Sequence, residues 1–173
     1  MKIRQGSTKT LYFKPEKLDQ IICYYEDHSP GKGMITLVCY GEAWSCYWGS
    51  MGNENLIEFF LSADTGYLAN KLWNHTYPQI DTDYDKLNDI MVEADPDFYE
   101  DVSNAYMLGV NQDAVSEVLG NEWWEALPTK DVYQYDYLKR IVDATKEAFK
   151  ELEKVDEETN KPRDTNNLEK QLA

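Results

Sequence analysis

The period of the hydrophobic pattern changes near Gly52, and this change is what most constrains the fold. Before it, short apolar and aromatic segments separated by turn residues are typical of β-strands. These segments are Lys9–Phe13, Gln20–Glu26, Met34–Tyr40 and Ala43–Trp48. After it, apolar residues recur every three or four positions, which is typical of amphipathic helices. The pattern therefore predicts strands first and helices after.

The predicted helices cover Asn55–Ala63, a segment capped by Asp64 or Thr65 that ends near Leu72, Asp81–Glu93, Asn111–Leu119 and Asp136–Lys154. Short connections between the strands favour an antiparallel meander. We therefore expect an α+β protein, with a small antiparallel sheet covered by the C-terminal helices. A length of 173 residues suits one domain, which we place at 1–155, before a flexible polar tail at 156–173.

Negative charge is concentrated after the strands. The chain has a formal net charge of −15 at pH 7. Residues 1–50 carry 6 Lys/Arg and 5 Asp/Glu, whereas residues 51–173 carry 11 and 27, so the later segment has a net charge of −16. Such a field repels nucleic-acid phosphates and anionic lipids. We therefore expect no direct binding to nucleic acid or to membranes, and a basic protein or a metal becomes the natural counterpart.

Neither an export signal nor a membrane-spanning run is visible in the sequence. The three cysteines, Cys23, Cys39 and Cys46, fall on predicted strands. An odd number of thiols in such positions indicates reduced core residues in a reducing compartment. We therefore expect a cytoplasmic protein.

The acids at Asp81, Asp83 and Asp85 begin like a calcium-binding loop. That loop needs Gly at its sixth position and a bidentate acid at its twelfth. Lys86 and Val92 stand there instead. The pattern is more typical of a solvated helix start, and we expect no bound metal or cofactor.

Catalytic constellations are weak in this sequence. A cysteine nucleophile needs a base within hydrogen-bond reach, and only His28 and His75 are available. Glu42 is the best candidate for a carboxyl group with a raised pKa, because the residues after it are apolar. We therefore expect no enzymatic activity. The alternative is an enzyme that acts on a small substrate, with a pocket near Glu42, Trp44, Tyr47 and Trp48.

The segment from Asp81 to Asp101 mixes acids and aromatics, with 9 Asp/Glu and a single Lys. Irregularly spaced carboxylates can present charge as a phosphate backbone does, and the aromatic residues Tyr84, Phe98 and Tyr99 could anchor a partner. The alternative is a merely soluble surface. The candidate partner-binding residues are Asp81, Asp83, Tyr84, Asp85, Asp89, Glu93, Asp95, Asp97, Tyr99, Glu100 and Asp101.

Residues 31–52 (GKGMITLVCYGEAWSCYWGSMG) and 57–72 (IEFFLSADTGYLANKL) resemble a small protein family encoded in bacteriophages and prophages of enteric bacteria. The similarity covers about the first 75 residues, and the acidic part at 80–173 lies outside it. The resemblance implies a phage accessory gene, and it implies no catalytic residues.

These observations combine into one hypothesis. We expect a stoichiometric inhibitor of a host nucleic-acid-binding defence effector, such as a CRISPR complex or a restriction enzyme, whose basic groove the acidic surface would occupy. The expected contacts are the 81–101 segment and the last helix. Another alternative is self-association, as a homodimer, through a stripe on that helix formed by Leu138, Ile141, Thr145, Ala148, Leu152 and Val155.

Overall fold

The computed structural model describes residues 3, 6–73, 78–98 and 100–159, and it confirms the predicted α+β class. Four strands pair antiparallel in chain order: β1 (Lys9–Phe13), β2 (Ile21–Ser29), β3 (Lys32–Cys39) and β4 (Glu42–Trp48). The helices are α1 (Leu56–Ser62), α2 (Thr65–Leu72), α3 (Tyr84–Ala94), α4 (Ala105–Val110), α5 (Gln112–Leu119) and α6 (Tyr133–Thr159). Two short strands, β5 (Ile80–Thr82) and β6 (Thr129–Asp131), form a separate antiparallel pair.

The chain divides into two compact units. The first unit combines Met1–Asn74 with Tyr137–Ala173, and the second unit is His75–Asp136. One domain over 1–155 stays a prediction, which the cooperativity of unfolding would test. Helix α6 continues to Thr159, and the rest of the predicted tail, residues 160–173, lies outside the described residues.

One face of the four-stranded sheet is closed. Along β3, Ile35, Leu37 and Cys39 are fully buried, while the residues between them are only half-buried. A near-continuous apolar run such as that at 34–48 is typical of a central strand buried on both faces. Strand β3 is central, but this alternation shows that it is fully buried on one face only.

Helices α1 and α6 pack on the closed face of the sheet. The ring of Phe149 lies edge-on to Tyr25 of β2 and to Phe60 of α1, at centroid distances of 5.4 and 5.6 Å. Ile141 and Thr145 are fully buried, and the Thr145 hydroxyl donates to the Ile141 carbonyl at 2.8 Å. The helical stripe proposed for self-association is therefore largely used inside the first unit.

Two turns of the sheet depend on glycine. Gly31 has a φ of +69°, and its carbonyl accepts a hydrogen bond from the Met51 amide at 2.7 Å. A Cβ atom at Gly31 would collide with the carbonyl oxygen of Gly52. Tyr40 and Gly41, with φ of 50° and 83°, form the two-residue turn between β3 and β4. Positive φ at both positions is what a tight hairpin requires.

The second unit has a small core of its own. It contains the buried side chains Leu87, Met91, Val102, Leu108 and Val115. The β5–β6 pair is lengthened by two backbone hydrogen bonds of 2.8 Å, from Val132 to Gln79 and from Asp83 to Pro128. Burial of the apolar faces of α3 and α5 in this core leaves their polar faces toward solvent.

Candidate functional site

The charge of the protein is concentrated in the second unit. Residues 75–136 contain 15 Asp/Glu and 2 Lys, which gives a net charge of −13, and the rest of the chain carries only −2. The sequence showed an excess of acids after Gly52. The structure assigns nearly all of that excess to one compact unit.

Helix α3 carries a row of three acids. Asp85, Asp89 and Glu93 are exposed and lie four residues apart, while Leu87 and Met91 on the other side of the helix are fully buried. With a rise of 1.5 Å per residue, these carboxylates follow one another at intervals of about 6 Å along the helix axis. The helix therefore presents a regular line of negative charge to solvent.

Helix α5 repeats this arrangement on a smaller scale. Asp113 and Glu117 are exposed and four residues apart, with Val115 buried opposite them. Neither α3 nor α5 has a basic residue in its last turn, and Glu93 and Glu117 lie there instead. A carboxylate is unfavourable at a helix C-terminus, and like charges four residues apart repel. Both helices therefore keep acids where they lower stability.

Asp83 has a structural role. It is the N-cap of α3, and its carboxylate accepts from the Lys86 amide at 3.3 Å and from Lys130 Nζ at 3.2 Å. Partial desolvation opposes ionisation of this carboxyl, but the hydrogen bonds from Lys86 and Lys130 outweigh it and lower the pKa of Asp83. The same contact raises the pKa of Lys130, which also lies 3.6 Å from Asp85.

Three further predicted acids bond to the backbone beside them. Asp81 accepts from the Thr82 amide at 2.7 Å, Asp95 from the Asp97 amide at 3.0 Å, and Asp101 from the Ser103 amide at 2.8 Å. The hydroxyl and amide of Ser103 lower the pKa of Asp101. These aspartates shape turns while their side chains remain at the surface.

The remaining predicted residues are divided between surface and core. Asp97 is exposed, and Glu100 is half-buried. Tyr84 and Phe98 pack against the core of the second unit, so they are not exposed anchors. Tyr99 lies outside the described residues.

Three exposed aromatic residues of the second unit were missed in the sequence. Tyr106 is 76% exposed, Tyr133 is 73% exposed and Trp124 is 57% exposed. Trp124 lies between Glu122 and Glu125 and contacts the ring of Trp123 edge-on at 6.1 Å. The segment EWWE at residues 122–125 could have indicated Trp124 in the sequence. It combines acids with aromatics outside 81–101.

The residues of the alternative enzyme site are divided between the two faces of β4. Glu42 and Trp44 lie on one face of β4, whereas Tyr47 lies on the opposite face, because side chains alternate along a strand. The ring of His28 packs edge-on against Tyr47 at 5.6 Å. Tyr47 therefore faces away from Glu42, Trp44 and Trp48.

The thiols are poorly suited to nucleophilic chemistry. Burial raises the pKa of the Cys23 thiol to about 12. Cys39 is buried, with its sulfur 3.3 Å from the Tyr137 hydroxyl. Burial also raises the pKa of Cys46, although the charge of Lys71 partly offsets the effect. His75, one of the two candidate bases, lies outside the described residues.

Two of the three acids that begin like a calcium loop, Asp83 and Asp85, contact a lysine side chain. The ammonium of Lys130 lies 3.2 Å from Asp83 and 3.6 Å from the exposed Asp85, so one side-chain cation offsets part of their combined negative charge. Within the described ranges, no group of three or more His, Cys, Asp or Glu side chains is arranged to hold a metal ion. Of the helices described, none has both the length and the apolar character needed to cross a bilayer.

Comparison with family models gives a match over most of the chain. A family model described as a phage family (Phage_phiTE_072) matches residues 1–151. The match includes the second unit, whereas the resemblance noted in the sequence covered only about the first 75 residues. Searches of the curated proteins and of the solved structures returned no match. Because the family model covers most of the chain, this protein belongs to that phage family.

Proposed function

We propose that this protein is an accessory protein of phages that infect enteric bacteria, and that it acts by binding rather than by catalysis. It forms a stoichiometric complex with a basic host protein in the host cytoplasm. The partner is a nucleic-acid-binding defence effector, such as a CRISPR complex or a restriction enzyme. The acidic second unit occupies the groove that would otherwise hold nucleic acid. The observation that carries this proposal is the net charge of −13 within residues 75–136.

The placement of the acids supports a binding role over simple solubility. A soluble surface needs net charge, but it does not need that charge at unfavourable helix positions. Glu93 and Glu117 lie in the last turns of α3 and α5, each four residues after another acid. Residues that oppose the helix dipole and repel a neighbouring like charge are usually retained where function requires them.

The electrostatics also indicate how such a complex would form. A concentrated negative field steers a basic partner toward the second unit and raises the association rate. Because counterions are released from both surfaces, the affinity should fall as salt increases. Exposed Trp124, held against Trp123, supplies an apolar contact of the kind that dominates interface energetics.

The test uses the tagged full-length protein in host lysate at about 0.1 M and about 1 M salt. We expect capture at low salt of a basic nucleic-acid-binding protein that releases its DNA or RNA when about one equivalent of this protein is added. Recovery of only neutral or acidic proteins, or of a protein that keeps its nucleic acid, would contradict the proposal.

A matched pair of triple variants locates the contact. Asp85→Asn, Asp89→Asn and Glu93→Gln together remove three charges from α3. Glu16→Gln, Asp19→Asn and Glu42→Gln remove three exposed charges from the first unit, outside the last helix. We expect the first set to raise, about tenfold or more, the concentration of this protein that releases nucleic acid from the effector. The second set should leave that concentration nearly unchanged. Equal effects would mean that only the net charge matters.

A single substitution separates binding from catalysis. Glu42→Gln preserves the size of an exposed side chain at the start of β4. Under the binding proposal, this variant inhibits the effector as well as the wild-type protein does. Loss of inhibition with an unchanged melting temperature would favour the enzyme alternative.

A further inference from the structure

The open face of the four-stranded sheet, opposite the closed face, carries apolar side chains. One row across it consists of Tyr12, Ile22, Val38 and Ala43, which are consecutive cross-strand partners. Another row consists of Glu26, Met34 and Tyr47. An antiparallel sheet with one solvated face normally places polar residues there. This face departs from that rule.

Two residues of the middle row satisfy their hydroxyl groups within the sheet. The row consists of Thr10, Tyr24, Thr36 and Ser45. The hydroxyls of Thr36 and Ser45 are 2.8 Å apart, and Ser45 also donates to the Ile35 carbonyl at 3.1 Å. A surface that covers this row therefore need not supply hydrogen bonds to these hydroxyls.

We define the outer aromatic face by its large apolar members, Tyr12, Ile22, Tyr24, Met34, Val38 and Tyr47. Several are well exposed: Tyr12 by 65%, Tyr47 by 53%, and Tyr24 and Met34 each by 37%. Within the three rows, Glu26 is the only charged side chain, and it accepts a hydrogen bond from the Thr8 hydroxyl at 3.4 Å. By contrast, 28% of all residues in the chain are charged.

The charge distribution limits what can cover this face. A basic effector would find one carboxylate here, whereas residues 75–136 carry a net charge of −13. The outer aromatic face therefore does not suit the partner proposed for the second unit. Any occupant must bring an apolar surface with almost no charge to pair. A second copy of this chain meets that condition, because it presents the same rows.

The residues of the first unit add little to the repulsion between two copies, because they carry only −2 of the net charge of −15 on each chain. Four strands about 4.8 Å apart and three rows about 7 Å apart give a face of roughly 400 Å² per copy. Two such faces together give roughly 800 Å², which is less than the roughly 1,200–2,000 Å² that stable complexes bury. The complex should therefore be weak and transient. We propose that two copies associate face to face through the outer aromatic face, about a two-fold axis, as a concentration-dependent dimer.

The direct test is the mass of the unmodified full-length protein by light scattering or sedimentation, over a series from about 1 μM to about 1 mM. We expect the mass to rise from the monomer value of 20.2 kDa toward twice that value. Because the contact is apolar, about 1 M salt should not weaken it, in contrast to binding of the basic effector. A mass that stays at 20.2 kDa over the whole series would overturn the proposal.

A matched pair of variants locates the contact. Tyr24→Glu places a charge at the centre of the outer aromatic face, and Tyr106→Glu places the same charge on an exposed site of α4 in the second unit. We expect Tyr24→Glu to weaken the dimer about tenfold or more and Tyr106→Glu to leave it intact. Tyr47→Glu, on the edge strand β4, repeats the test if Tyr24→Glu does not fold. Equal dimerisation of all the folded variants would exclude this face.

Discussion

Replacing Glu93 by glutamine should make the protein more stable while weakening its binding to a basic partner. Glu93 is exposed in the last turn of α3, four residues after Asp89. A carboxylate at a helix C-terminus costs roughly 0.3–1 kcal/mol, and a like-charge pair at this spacing costs roughly 0.2–0.5 kcal/mol. Glutamine has nearly the same shape and helix propensity. We therefore expect a gain of about 0.5–1.5 kcal/mol in the free energy of unfolding.

For a chain of this length, that gain corresponds to a rise of about 1–6 °C in the melting temperature. Calorimetry or circular dichroism at low salt would measure it. In about 1 M salt the gain should shrink, because the charges are exposed and screened. In the displacement assay, the same variant should inhibit less well than the wild-type protein.

Asp85→Asn is the matched control. It also removes one negative charge from α3, but from the first turn, where an acid is favourable, and it removes a 3.6 Å contact with Lys130. This variant should lower the melting temperature and weaken displacement in the same direction as Glu93→Gln. If Glu93→Gln lowers the melting temperature, or both variants shift it equally, the argument that function retains these acids is refuted.

Three further predictions test the fold. Phe149→Ala should lower the free energy of unfolding, measured in urea, by about 3–5 kcal/mol, because the ring is fully buried between Tyr25 and Phe60. A loss below about 1 kcal/mol would contradict this packing. Gly31→Ala should be far more destabilising than Gly41→Ala, because both have positive φ but only Gly31 faces a collision, and equal melting temperatures would refute that collision. Asp101→Asn should destabilise the protein at neutral pH, because the hydrogen bonds from Ser103 favour the carboxylate and lower its pKa. That stabilisation is present above the ordinary aspartate pKa of about 4 and is lost as pH falls through the lowered value, so acid titrations of the two proteins should converge. A difference that persists at the acid end would argue against this origin.

The sequence predicted the elements whose periodicity extends over several residues. Strands β1 to β4 and helices α1, α2, α3, α5 and α6 lie close to their predicted positions, because alternation and turn glycines marked their limits. The short elements were missed. Strands β5 and β6 have three residues each, and α4 has six residues, so none of them contains enough positions to define a period.

The candidate site was predictable in its charge but not in its detail. Exposure of Asp85, Asp89 and Glu93 follows from the helical period that buries Leu87 and Met91. The backbone contacts of Asp95 and Asp101 depend on local turn geometry, which composition does not reveal. The two aromatic residues Tyr84 and Trp124 differ in this respect. The helical period that buries Leu87 and Met91 also turns Tyr84 toward the core, whereas the exposure of Trp124 depends on a turn.

The division of the first unit into two stretches of chain has a consequence for how the protein is made. Its sheet comes from Met1–Asn74, but Phe149, which covers Tyr25 and Phe60, arrives only with α6. During synthesis the ribosome must therefore release all of residues 75–136 before the sheet can acquire this cover. Contacts this distant in sequence slow folding. Until then the part of the closed face that α6 covers stays exposed, which gives chaperones a period in which to bind it.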